Sequence, residues 1–136
     1  MVESSEFQEA PFQVPTLCPR MLIVDDEMDI CSLLKDFFTL RGFSVTSVFS
    51  GEEALDYIAS QQLDVLILDI LLPGISGIEV LKRARKVRPD MRIIMITSLE
   101  DEDIRHAAEK HGAAAYITKP FDFSDKTWSE PLQGLL

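Results

Sequence analysis

Leu63-Asp64-Val65-Leu66-Ile67-Leu68-Asp69-Ile70-Leu71-Leu72-Pro73-Gly74 is the stretch on which the fold turns. It begins as a short, almost continuous apolar run, the pattern of a strand buried on both faces. The run does not stop at a turn signal. It stops at a bare carboxylate, Asp69, followed by more apolar residues and then Pro73-Gly74. Open α/β sheets place their ligands at the carboxyl ends of such strands. Asp69 is therefore a candidate site residue; its simpler role would be to cap whatever follows.

On the N-terminal side, Met21-Leu22-Ile23-Val24 reads as a second buried strand, ending in Asp25-Asp26-Glu27. Ile30, Leu33, Leu34, Phe37 and Phe38 then recur at helical spacing and stop at Arg41-Gly42, with Cys31 among them as a packing residue. The stretch from Phe43 to Val48 alternates like a strand. Ser50-Gly51-Glu52-Glu53 opens a helix, with Ser50 as its cap and Glu53 completing a capping box. On the C-terminal side, Ile78, Val80, Leu81 and Ala84 mark a helix carrying Lys82, Arg83, Arg85 and Lys86 on its outside. Arg92 to Ile96 is a strand ending in Thr97-Ser98. Asp101 to Lys110 is a polar helix, with His106 and His111 read as surface residues. Ala114 to Thr118 is a last strand, ending in Lys119-Pro120-Phe121.

Strict alternation of strand and helix implies an α/β fold: a parallel sheet with helices on both faces. Right-handed crossovers then bring every strand end to one edge. Asp25, Asp26, Asp69, Thr97 and Lys119 gather there.

The 136 residues suit one domain with a real core. A net charge of −10 argues against nucleic acid or an anionic membrane surface as a direct partner, and is compatible with a cation or a basic surface. Two cysteines without metal-ligand spacing make a reduced, cytoplasmic setting the expectation. No apolar run reaches the ~18 residues of a membrane span, and the N-terminus lacks a signal-peptide core. Residues 1–20 read as a tail, interrupted by Pro11, Pro15 and Pro19. It is either a flexible leader or an arm that docks through Phe7 and Phe12.

Three clustered carboxylates repel by roughly 4 kcal/mol per pair at 4 Å and an effective dielectric near 20. That is large beside a domain stability of ~5–15 kcal/mol. Two offsets are visible: the Lys119 ammonium, and a divalent cation for which all-oxygen ligands favour Mg²⁺. A carboxylate in that company, with the Thr97 hydroxyl nearby, can act as nucleophile toward a phosphoryl group. Asp69 is the best placed to do so, with Asp25 and Asp26 holding the metal.

Val24-Asp25-Asp26-Glu27, Asp69 with Pro73-Gly74 and Gly77, Thr97, and Lys119-Pro120-Phe121, in that order and over about residues 21–121, resemble the receiver domain of two-component response regulators. The resemblance implies a doubly wound, flavodoxin-like five-stranded parallel sheet of order 2-1-3-4-5. It implies that Asp69 accepts a phosphoryl group from a sensor histidine kinase or a histidine phosphotransfer protein. Asp25, Asp26, Asp69 and the Ile70 backbone carbonyl would bind Mg²⁺. Lys119 would pair with the phosphate, and Thr97 and Tyr116 would turn inward as the switch. The role is regulatory, with at most weak self-phosphorylation and self-dephosphorylation.

Ser98 and Leu71 depart from the usual pattern, and Leu71 offers no group to orient a hydrolytic water. Two other readings compete with this one. An Asp-nucleophile phosphatase would want a second Asp two residues after the first, where Leu71 stands. A phosphorylation-independent interaction module would not need the intact acid, Thr and Lys set.

The receiver domain is expected over residues 21–136, with an atypical last helix in 122–136. Trp128, Leu132, Leu135 and Leu136 make an apolar helical face, Ser124 can cap it, and Phe123 can staple onto Trp128. Pro131 lies inside that run and costs a regular helix ~3 kcal/mol. A break between Thr127 and Pro131 is expected.

Overall fold

The structure, a computed structural model, describes residues 18–135. The sequence reading of a tail therefore falls, up to residue 17, outside the described residues. From there the elements alternate: β1 (Arg20–Val24), α1 (Met28–Thr39), β2 (Ser44–Val48), α2 (Gly51–Ser60), β3 (Val65–Asp69), α3 (Gly77–Val87), β4 (Arg92–Thr97), α4 (Glu102–Lys110), β5 (Ala115–Thr118) and α5 (Asp125–Ser129). The strands make one parallel sheet in the order β2-β1-β3-β4-β5. This is the doubly wound, flavodoxin-like topology that the resemblance implied.

β3 is buried along its whole length. Its residues feed two cores by parity, because successive side chains point to opposite faces. Leu66 and Leu68 join Leu22, Val24, Ile93 and Met95 beneath α2, α3 and α4. Val65 and Ile67 join Met21, Ile23, Ile94 and Ile96 beneath α1 and α5. Coverage on both faces is why these strands read as continuous apolar runs. β2, at the sheet edge, has no fully buried residue, which fits its mixed sequence.

Helix starts follow local chemistry. Ser50, Ser76 and Asp101 each accept a hydrogen bond from a backbone N–H of the first turn, satisfying donors that the helix cannot. On α1 the buried stripe is Cys31, Leu34, Phe37 and Phe38. Leu33 and Leu40, apolar in the sequence pattern, lie exposed.

At the C-terminus, Ser124 accepts from the Thr127 N–H at 3.4 Å. α5 ends at Ser129, and turns carry the chain from Glu130 to Leu135. Trp128 and Leu132 are both fully buried, so the apolar face outlives the helix. Phe123 does not staple Trp128 but packs on Phe37 and Phe121, at ring-centroid distances of 5.5 and 5.8 Å. The indole Nε1 donates to the Asp122 carbonyl at 3.1 Å, and its ring meets Phe38 and Phe121 instead.

Candidate functional site

Four side chains arrive at one edge of the sheet from four strands. Asp69 and Thr97 are the last residues of β3 and β4. Asp25 directly follows β1 and Lys119 directly follows β5. Parallel pairing in register makes that convergence unavoidable.

Lys119 is the hub. Its Nζ lies 3.2 Å from Asp69 Oδ2, 2.9 Å from Asp25 Oδ2 and 2.7 Å from Glu27 Oε1. Asp25 is fully buried and Asp69 nearly so, while Glu27 is exposed. Each aspartate spends its other oxygen on the chain that follows: Asp25 Oδ1 accepts from the Glu27 N–H at 2.9 Å, and Asp69 Oδ1 from the Leu71 N–H at 3.1 Å. Asp25 Oδ2 is close to the ammonium but takes no hydrogen bond.

These contacts do not neutralise the site. Three carboxylates face one ammonium. Burial, and then the charge of Asp25, push the Asp69 carboxyl up to about 6, although Lys119 and the Leu71 N–H pull the other way. Lys119 is held above its ordinary value: burial alone would lower it, but its contacts with Glu27 and Asp25 and the charges of Asp69 and Asp25 outweigh that.

One carboxylate oxygen from each of Asp25, Glu27 and Asp69 lies within 4.8 Å of the others. A buried carboxylate oxygen without a hydrogen bond, beside two more carboxylates, is a donor set that a hard divalent cation fits. The group contains Glu27 where the sequence reading had Asp26. Asp26 is exposed and stands outside it. The turn closed by the Glu27 N–H on Asp25 brings Glu27 back over the site, and the run of three acids after β1 was the available signal. The Ile70 carbonyl accepts from the Gly77 N–H at 3.0 Å, which leaves one of its lone pairs free.

Two further residues named from the sequence meet at one residue, Leu99, through its two flanking peptide groups. The buried Thr97 Oγ1 accepts from the Leu99 N–H at 3.1 Å, and the Tyr116 hydroxyl donates to the Leu99 carbonyl at 3.0 Å. Tyr116 is buried beneath the Arg105 guanidinium, 4.5 Å from its ring centroid. The loop after β4 is thus held from both sides of Leu99. Across the site, Gly77 lets α3 close on the loop after β3. A Cβ there would collide with the Asp69 carbonyl oxygen and lie 2.6 Å from Ile70 Cα.

The pattern of the family described as response regulator receiver domain matches residues 21–127. Among similar proteins, sporulation initiation phosphotransferase F of Bacillus subtilis (strain 168) is 33% identical over 106 residues, covering 78% of this chain and 86% of that protein. The probable transcriptional regulator ycf27 of Cyanidium caldarium is 41% identical over 102 residues, 75% of this chain but 41% of its own length. The chain thus spans less than half of that longer relative. A solved response regulator receiver domain protein (CheY-like) from Methanospirillum hungatei JF-1 superposes with a TM-score of 0.78 at 32% identity, covering 82% of this chain and 90% of that one.

Proposed function

We propose, from the premise that this chain belongs to the response regulator receiver domains, that Asp69 is its phosphoacceptor. The observation that carries the reading is the arrangement around Asp69: a nearly buried carboxylate at a strand end, 3.2 Å from the Lys119 ammonium and grouped with Asp25 and Glu27.

In the proposed step an Asp69 carboxylate oxygen attacks the phosphorus of a phosphohistidine on a partner kinase or histidine phosphotransfer protein. The new P–O bond forms as the P–N bond breaks, and the imidazole leaves. Asp69 must be ionised to attack, and with its carboxyl raised to about 6 it is mainly a carboxylate at pH 7. Lys119 then exchanges part of its contact with Asp69 for the oxygens of the transferred group. Thr97 turns from the Leu99 N–H toward the phosphoryl group, which loosens Leu99, whose carbonyl Tyr116 holds, and carries the change toward α4. Asp25, Asp26 and Asp69, with the Ile70 carbonyl, would hold Mg²⁺, and Glu27 competes with Asp26 for that place. When bound, the metal would supply charge neutralisation for the phosphoryl oxygens in line with the attack.

The function is a regulated switch of the cytoplasm, with at most weak autocatalysis. Leu71 is apolar and half exposed two residues past Asp69 and offers no group to activate water.

The test is intact mass after incubation with a small-molecule phosphodonor. One phosphoryl group should add to the wild type with Mg²⁺, and none with chelator or in Asp69→Asn. A phosphorylated Asp69→Asn chain would sink the assignment. Melting curves with and without Mg²⁺ for Asp26→Asn and Glu27→Gln decide between the two acids. The true ligand loses its share of a metal stabilisation that linkage puts at ~2.7 kcal/mol for free metal at 100 times Kd.

A further inference from the structure

A second charged surface lies away from the phosphoacceptor edge, between α3 and α4. Lys82, Arg83, Arg85, Lys86, Lys110 and His111, with Glu79 as the one acid, line a cleft of about 550 Å³. Five of the chain's 13 lysines and arginines fall between Lys82 and Arg88, in a protein of net charge −10. Arg83 is paired with Glu79 at 3.0 Å, and Arg85 is committed to backbone carbonyls. Lys82, Lys86 and Lys110 are exposed and make no ion pair among the described residues. Three ammonium groups held around one concavity repel one another and favour an acidic occupant.

We propose that the occupant is this chain's own N-terminal segment, residues 1–9, which carries Glu3, Glu6 and Glu9 and no lysine or arginine. Tether geometry favours it over a free partner. Cys18, where the described chain begins, lines a cavity together with Arg88, and the Arg88 carbonyl accepts from Arg85, which lines the cleft. Glu9 precedes Cys18 by nine residues, a reach of roughly 30 Å when extended. From Arg88 back to Lys82 is six helical residues, roughly 9 Å. The segment therefore reaches the cleft with slack. A tether of that length presents it at an effective concentration on the order of millimolar, with no need for a tight intrinsic contact. Nothing in this contact requires Asp69 to be the phosphoacceptor.

Zero-length carboxylate–amine cross-linking of the full chain, mixed 1:1 between unlabelled and ¹⁵N-labelled copies, tests this by peptide mass. Expected are links from Glu3, Glu6 or Glu9 to Lys82, Lys86 or Lys110, joining peptides of the same isotope. Their yield should fall severalfold near 1 M salt, where the screening length shrinks to ~3 Å. In the surface variant Lys82→Glu/Lys86→Glu the links to Lys110 should also fall severalfold. Mixed-isotope links would assign the cleft to a second copy and overturn the proposal. So would the absence of these links, equal yields at Lys35 and Lys126, or undiminished Lys110 links in the variant.

Discussion

At the carboxyl ends of the strands Asp25, Glu27 and Asp69 crowd one ammonium; at the amino ends three arginines meet only neutral carbonyls. Arg85 Nη1 donates to the Arg88, Pro89 and Met91 carbonyls at 3.2, 2.8 and 2.7 Å, and its Nη2 donates to the Gly112 carbonyl at 2.7 Å. Arg88 donates to the Ile58 and Gln61 carbonyls at 2.9 and 2.7 Å, where α2 ends. Arg92 donates to the Gln133 carbonyl at 2.6 Å and the Pro131 carbonyl at 3.4 Å. Each guanidinium ties down carbonyls of loops and helix ends, although the Arg88 carbonyl also accepts from the Met91 N–H. One end of the sheet is largely satisfied by fixed dipoles, with Arg88 Nε left buried and without a partner among the described residues, and is built for stability. The other gathers three carboxylates around one ammonium, the surplus charge on which the proposed chemistry draws.

The largest effect expected from breaking this contrast is at the satisfied end. Arg85→Ala removes a donor shared by the α3–β4 and α4–β5 loops and strands several carbonyls, of which part are exposed to water. With charged hydrogen bonds worth ~1.5–3 kcal/mol each before solvent relief, a loss of about 2–4 kcal/mol in urea unfolding is expected. Arg85→Lys should recover only a minor part, since an ammonium cannot span the four carbonyls with a planar fork. Full recovery by lysine would mean that packing alone is at work.

A change of opposite sign is expected at the functional end. Asp69 titrates at about 6 in the fold against an ordinary 3.8, so between those values the folded state holds more of this proton than the unfolded state. Stability from this group is therefore complete below about pH 4 and is lost as pH rises through about 6. The gap of about two units corresponds to roughly 3 kcal/mol. Lys119, raised from an already high value, does not titrate in this window. In chelator, Asp69→Asn should be more stable than wild type by about 2–3 kcal/mol at pH 7, and the difference should close toward pH 4. An equal gap at both pH values would deny Asp69 its raised titration.

The two ends also differ in how far the sequence discloses them. The functional end was legible because its residues sit at strand ends: once Met21–Val24, β3, β4 and β5 are recognised as parallel strands, Asp25, Asp69, Thr97 and Lys119 have nowhere else to go. Glu27 was not legible, because its place depends on a turn closed by a single N–H on Asp25. The satisfied end was hidden altogether. Arg85 reads as an outward charge on the polar side of α3, yet it is half-buried and turned onto loop carbonyls. Backbone carbonyls carry no side-chain signature, so nothing in the residue pattern names the partners of Arg85, Arg88 or Arg92. The edge placement of β2 likewise followed from the family topology, not from its own alternation.

The smallest expected effect lies where Arg92 meets the closing segment, and it asks what ends α5. Two causes coincide there. Pro131 cannot donate to an i−4 carbonyl and its ring crowds the preceding turn, while Arg92 draws the Pro131 and Gln133 carbonyls toward β4. Leu132 is fully buried in the turn conformation, and Gly134 adopts φ of 90°, a value that ends helices and suits glycine. Regrowing the helix through Pro131 would pull Leu132 and the two carbonyls out of place together. Pro131→Ala should therefore leave the far-ultraviolet helix signal unchanged. It should cost only ~0.4–1 kcal/mol, through the freer unfolded chain. Arg92→Ala in the same background isolates the other cause. If Pro131→Ala alone adds a turn of helix and raises stability, the proline ends α5. If helix appears only after Arg92 is also removed, the clamp from β4 ends it, which is the outcome the geometry favours.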